Sequence, residues 1–158
     1  MIKLEQIQET LIGELERHCA CLFVPSNTTK EMPAYPYVSF TLINDKLKGG
    51  TYSEDDRLYK PLDLTYSFTV QGKSELEAHA IAMLARDFLE ETGRQKLYDA
   101  GIVIGNITGI TSRDNLLTIE YEYRRGFDAV ISVFNEIDKP DIETIEKANI
   151  KYEKIKER

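Results

Sequence analysis

Residues 116–134 read LLTIEYEYRRGFDAVISVF, and their alternation decides the fold class. Leu117, Ile119, Tyr121, Tyr123, Phe127, Ala129, Ile131 and Val133 hold the odd positions, while Thr118, Glu120, Glu122, Arg124, Asp128 and Ser132 fall among the even ones. A period of two marks a β-strand with one buried and one wet face. The pattern breaks only at Arg125-Gly126, where a charge sits on the apolar register and a glycine follows. At about 3.3 Å per residue such a strand spans roughly 60 Å, more than one face of a domain this size. A bulge, bend or overhang is therefore expected at Arg125-Gly126, with part of the strand belonging to a neighbouring molecule.

Working outward, Ile102–Ile107 opens another strand, and Ser112-Arg113-Asp114-Asn115 supplies turn chemistry between it and the long strand, giving a hairpin. A second hairpin is read upstream. Val38, Phe40 and Leu42 alternate with Ser39 and Thr41, and Leu62, Leu64, Tyr66, Phe68 and Val70 alternate with polar residues up to Gln71. Between them, residues 44–60 combine Gly49-Gly50 with a run of charge. They read as a long mobile loop, projecting as an arm at residues 46–57. Residues 25–36 hold three prolines and form an extended connection.

Helices fill the remainder. Ile2, Leu4, Ile7, Leu11, Ile12 and Leu15 follow helical spacing over residues 2–18. Ser74-Glu75-Leu76-Glu77 has the form of a capping box. It starts a helix whose apolar face is read as Leu76, Ala80, Ile81, Met83, Leu84, Phe88 and Leu89, with Gly93 as the left-handed stop. Residues 94–100 form one more short helix ended by Gly101. The order gives an α+β fold in two layers: an antiparallel or mixed four-stranded sheet, made of two hairpins, with helices packed on one face. A single domain covers residues 1–137. Residues 138–158 form a charged, peripheral extension, whose spacing fits a helix through Ile142, Ile145, Tyr152 and Ile155 or a strand over 148–152.

The chain has 158 residues and is 42% hydrophobic, enough for one core, with no apolar run of the roughly 20 residues that a membrane span needs. Glutamates at 5, 9, 14 and 16 spoil any leader peptide, so a cytoplasmic protein is expected. A formal charge of −7, from 27 acidic and 20 basic residues, opposes binding to a phosphate backbone. Sequence-specific nucleic-acid binding and membrane association are accordingly not expected. Cys19 and Cys21 stand too close for an easy structural disulfide and read as reduced, buried thiols at a helix end. His18 beside them does not complete a zinc set.

No catalytic cluster emerges. His18 and His79 lack a nucleophile as partner, and Gly49-Gly50 lacks the residues of a phosphate loop. The acids Glu54-Asp55-Asp56, followed by Arg57, could attract a divalent cation, which would suit a small metal-dependent hydrolase or nuclease, but adjacent loop acids ordinarily stay hydrated. A cytoplasmic adaptor that binds a peptide along a sheet edge is a third class. Tyrosines at 35, 37, 52, 59, 66, 121 and 123 favour interfaces or core edges. Tyr123-Arg124-Arg125-Gly126-Phe127-Asp128 stands out. In one reading it is a bulged strand with Arg124 and Asp128 paired on the wet face. In the other, Arg125 points toward a carboxylate of another subunit and Phe127 anchors the contact.

Tyr35-Pro36-Tyr37-Val38-Ser39-Phe40, Ser67-Phe68-Thr69-Val70-Gln71-Gly72-Lys73 leading into an alanine-bearing helix up to Phe88-Leu89, and Arg124-Arg125-Gly126-Phe127-Asp128 carry a resemblance over roughly residues 35–135. Together with the element order, they resemble the neck and tail terminator proteins of tailed bacteriophages. The resemblance implies a virion protein assembled in the host cytoplasm, without catalysis or cofactor, that forms a ring, typically of six copies. Such a ring caps the tail tube and offers the surface to which the filled head attaches. The implied partners are other copies of the chain, the tail tube protein and head–tail connector proteins. Tyr123, Arg124, Arg125, Phe127 and Asp128, with Glu54, Asp55, Asp56 and Arg57 of the arm, are the implied contact residues.

Overall fold

A computed structural model of the protein describes residues 4–116 and 121–138. Helix α1 spans Leu4–Cys19 and buries Leu11, Ile12, Leu15 and Cys19, as the spacing predicts. It stops where Ala20 takes the left-handed conformation at φ 49°. Strand β1, Leu22–Pro25, then pairs in parallel with β2, Tyr37–Leu47. After β3, Tyr52–Glu54, the 16-residue strand β4 runs from Arg57 to Gly72. Helix α2, Glu75–Asp87, passes through a π-helical turn at Phe88–Thr92 into α3, Arg94–Asp99. Short strands β5 (Val103–Ile107), β6 (Thr111–Ser112) and β7 (Asn115–Leu116) lead to β8, Tyr121–Asp138.

The fold is α+β with a mixed sheet, but not the four-stranded sheet that two hairpins would make. Its main path is β1-β2-β4-β8-β5, with β3 on β4 and with β6 and β7 on β8. Strand β4 is central, pairing with β2 on one side and along its whole length with β8 on the other. The apolar face of this pair is matched position by position: Leu62 opposite Val133, Leu64 opposite Ile131, Tyr66 opposite Ala129, Phe68 opposite Phe127. All of these are buried with Leu11 and Leu15 of α1 and Ala78, Ala82 and Ala85 of α2, which places both helices on this face. The next position in the register sets Arg125 opposite Val70.

Four local expectations are corrected. Residues 44–60 are mostly strand: β2 continues to Leu47, and Tyr52–Glu54 folds back on Arg57–Tyr59. A strand exposed on both faces has no reason to alternate in hydropathy, so its charge hides it. Second, β8 carries no bulge at Arg125-Gly126, because its register with β4 is continuous there. The irregularities fall instead between Leu42 and Asn44 of β2 and between Ile104 and Ile107 of β5. Third, Leu116 belongs to β7, antiparallel to β8 and opposite Tyr121, so residues 111–116 already run beside β8 rather than forming its turn; residues 117–120 lie outside the described residues. Fourth, Gly93 has φ −100° and is not left-handed; a Cβ there would fall 2.2 Å from the Phe88 ring. The left-handed glycine is Gly101, at φ 86°. The extension from residue 139 onward also lies outside the described residues.

Helix α2 begins as expected, with Ser74 Oγ accepting from the Glu77 amide at 3.2 Å. Its buried face differs. Alanines 78, 82 and 85 face the sheet, while Leu76, Met83 and Leu84 are exposed. Small side chains let the helix approach the sheet closely, and the bulky ones are left on the outside.

Candidate functional site

Arg125 lies on the core face of β8 at the point where the apolar layer ends under the start of α2. Only 8% of it is exposed. Its guanidinium donates to Asp114 Oδ1 at 2.5 Å and to Ser112 Oγ at 3.0 Å, and its Nη2 pairs with Glu75 Oε1 at 2.9 Å. The charge that the sequence leaves unbalanced is thus met by two carboxylates of its own chain, and it ties the sheet to the first turn of α2. Asp114 also accepts the Arg124 amide at 2.8 Å. Burial pushes the Asp114 carboxyl up, but the Arg124 amide, the Ser112 hydroxyl and the Arg125 guanidinium outweigh it and hold the group below the usual carboxylate value.

The opposite face of the same stretch explains its glycine. Arg113 lies flat across the sheet, donating to Ser67 Oγ and Thr69 Oγ1 at 2.9 Å each and pairing with Asp128 Oδ1 at 3.2 Å. A Cβ on Gly126 would stand 2.6 Å from Arg113 Nη1 and 2.6 Å from the Phe68 carbonyl oxygen. Glycine is required by close approach, not by a bulge. Asp128 therefore pairs with Arg113 rather than Arg124. Arg124 Nε instead lies 2.8 Å from Glu122 Oε1, as a charge pair whose N–H is not aligned for a hydrogen bond. Glu122 also accepts from Tyr35 Oη at 2.6 Å.

Of the contact residues that the sequence suggests, Phe127 and Arg125 are enclosed by their own chain, Phe127 packing on Phe68 at 5.5 Å between ring centres. Tyr123 is half-buried against the core. Arg124 and Asp128 are partly exposed, and Glu54, Asp55, Asp56 and Arg57 are exposed on the arm. There Glu54 sits opposite Arg57, and Asp55-Asp56 form the turn between them, with Asp55 at φ 50°. Arg57 forms an ion pair with Glu136 of β8.

The arm carries a surface that the sequence did not reveal. Tyr52 stacks on Tyr59 at 5.4 Å and meets Phe134 edge-on at 5.9 Å, and Tyr52 and Phe134 remain exposed. Beside this cluster a cleft of about 640 Å³ opens between the base of the arm and α3. Its members come from distant parts of the chain, so the only available signal was the density of tyrosines. At the core end of the sheet, the amide of Phe23 in β1 donates to Glu16 Oε1 at 3.0 Å, and β5 breaks its register within five residues.

His18 packs against Phe88 in a tilted pair with ring centres 4.7 Å apart, and both cysteines are free thiols. Burial, with the charge of Cys21, pushes the Cys19 thiol up to about 12; burial, then Glu16 and Glu77, raises Cys21 as well. Cys19 is the buried thiol at a helix end that the sequence suggests, whereas Cys21 is only half-buried. Among the described residues no three His, Cys, Asp or Glu side chains gather as a metal set, and no helix is long and apolar enough to cross a membrane.

No curated protein gives a significant match to this chain. A family model described as phage neck terminator protein, however, matches residues 9–156 and so takes in most of α1, the whole sheet and most of the charged extension. The sheet-to-helix staple at Arg125 and the projecting ribbon are thus features of a structural component of the phage neck: the chain belongs to the phage neck terminator family.

Proposed function

We propose that copies of this chain close into a ring, of six in the form the resemblance implies, that terminates the tail tube and presents the surface to which the head attaches. The observation that carries this reading is the β4–β8 ribbon, which continues beyond the last core pair, Leu62 and Val133, to Arg57 and Asp138. That overhang is five residues of β4, about 16 Å. Its tip is charged and its base aromatic, the combination of polar rim and aromatic centre that protein contacts favour. Within this reading Glu54, Asp55, Asp56 and Arg57 contact a neighbouring copy or tail protein. Arg124 and Asp128, partly exposed toward the other end of the β4–β8 pair, form a separate contact, while Arg125, Phe127 and Tyr123 hold the frame from which the ribbon extends. A closed ring leaves no such contact unused and so guards against open-ended assembly.

The test is electron microscopy of purified tail tubes with and without the protein, together with particles assembled in its absence. Rings at one tube end are expected, along with separate heads and tails of abnormal length when the protein is missing. Tails of normal length that join heads without it would refute the proposal.

A further inference from the structure

Two apolar surfaces have no partner among the described residues of the subunit, and they differ in shape. One is convex: along α2, Leu76, Ala80 and Met83 recur at helical spacing with Leu84 beside them, and Leu76 is 80% exposed. The other is the concave cleft between arm and α3, lined by Pro61, Tyr98, Val103, Val133 and Phe134 with Lys48 and Ser132 at its margin. A ridge and a cleft at separate places on one molecule suit a head-to-tail contact rather than a two-fold one.

Charge agrees with this pairing. The stripe through Leu76, Ala80 and Met83 continues to Asp87, whose side chain is 56% exposed and 3.9 Å from Arg86; of the five acids from Glu75 to Thr92, Glu75 is already paired with Arg125. At the cleft, Lys48 is likewise 56% exposed, 3.8 Å from Asp63 and donating to Ser132 Oγ at 3.2 Å. Resting on the ring reading above, we infer that the α2 ridge of one copy seats in the arm cleft of the next, Leu76 and Met83 entering it and Asp87 meeting Lys48.

Chains with one added cysteine test this under the conditions in which rings form on tail tubes. Leu76→Cys and Val103→Cys preparations are oxidised separately and as a mixture, with the wild-type chain, which carries Cys19 and Cys21, setting the background. A disulfide-linked dimer is expected in the mixture only. Leu76→Glu should abolish rings while leaving the circular dichroism spectrum and melting temperature unchanged, since Leu76 is largely in water already. Asp87→Lys and Lys48→Glu should each reduce ring yield at least tenfold, and their combination should restore it. Wild-type ring yield from Leu76→Glu, or Leu76→Cys linking to itself as in a two-fold helix contact, would overturn the inference and leave the ring intact. So would undiminished rings from Val103→Glu, which would give the cleft to another ligand. Failure of the wild-type chain to form rings on tubes would instead remove the ring reading, and this inference with it.

Discussion

Replacing Arg125 by alanine separates a framework role from a contact role. The side chain is 9% exposed and its nearest partner, Asp114, 18%, whereas Glu75 is 71% exposed. Breaking a fully buried pair costs about 3–5 kcal/mol, because the remaining charge is left without compensation. The exposed Glu75 arm contributes at most about 1 kcal/mol. Asp114 keeps the Arg124 amide and the Ser112 hydroxyl after the substitution. The expected loss therefore lies near the lower end, about 2–3 kcal/mol. For a chain of this length each kcal/mol moves the melting temperature by about 2–4 °C, so a fall of about 4–12 °C is expected. Melts followed by circular dichroism on Arg125→Ala, Arg125→Lys and Glu75→Gln measure it. Lysine, which keeps the charge but not the fork, should recover roughly half of the loss, and Glu75→Gln should change stability by less than about 0.5 kcal/mol. A melting temperature within one degree of wild type, together with lost assembly, would refute the reasoning and place the essential partner of Arg125 on another molecule.

Gly126→Ala should lower stability by about 1–3 kcal/mol in urea titrations, since the Phe68 carbonyl that blocks the new methyl belongs to the central strand and cannot withdraw; an unchanged midpoint would contradict the close approach of Arg113. A thiol-disulfide reagent at pH 8 should modify Cys21 slowly and Cys19 more slowly still in the native protein, and both rapidly in denaturant. Because the Asp114 carboxyl is held below its usual value of 3.8, its contribution to stability is complete above that pH and disappears as pH falls through the lower, folded-state value. Acid titration should show Asp114→Asn less stable than wild type at neutral pH, with the difference narrowing below about pH 4; a constant difference would show that this carboxylate is not linked to folding.

The helical and half-buried parts of the fold were legible because burial on one face leaves a period in the chain. Helix α1, the Ser74 cap, the even positions of β4 and the odd positions of β8 all follow this rule. It failed where burial is absent or mutual. The arm strands are wet on both faces, and β1 is four residues long and stabilised by its parallel neighbour. On α2 the hydropathy pattern pointed to Leu76 and Met83, yet close packing selected the alanines. The candidate site shows the same division. The anomaly of Arg125 and Gly126 was visible in the sequence, but its cause was not, since Asp114, Glu75, Arg113 and Phe68 reach it from other elements.

Local period and short motifs are enough to give the α+β class, the faces of the central strands and the family resemblance. Only the tertiary structure decided the partner of each charge, the straight register of β8, the strands within the arm, and which apolar side chains stay in water. Those outcomes depend on distances between residues far apart in the chain, and side chains of similar hydropathy are sorted by the space that remains once sheet and helices have met.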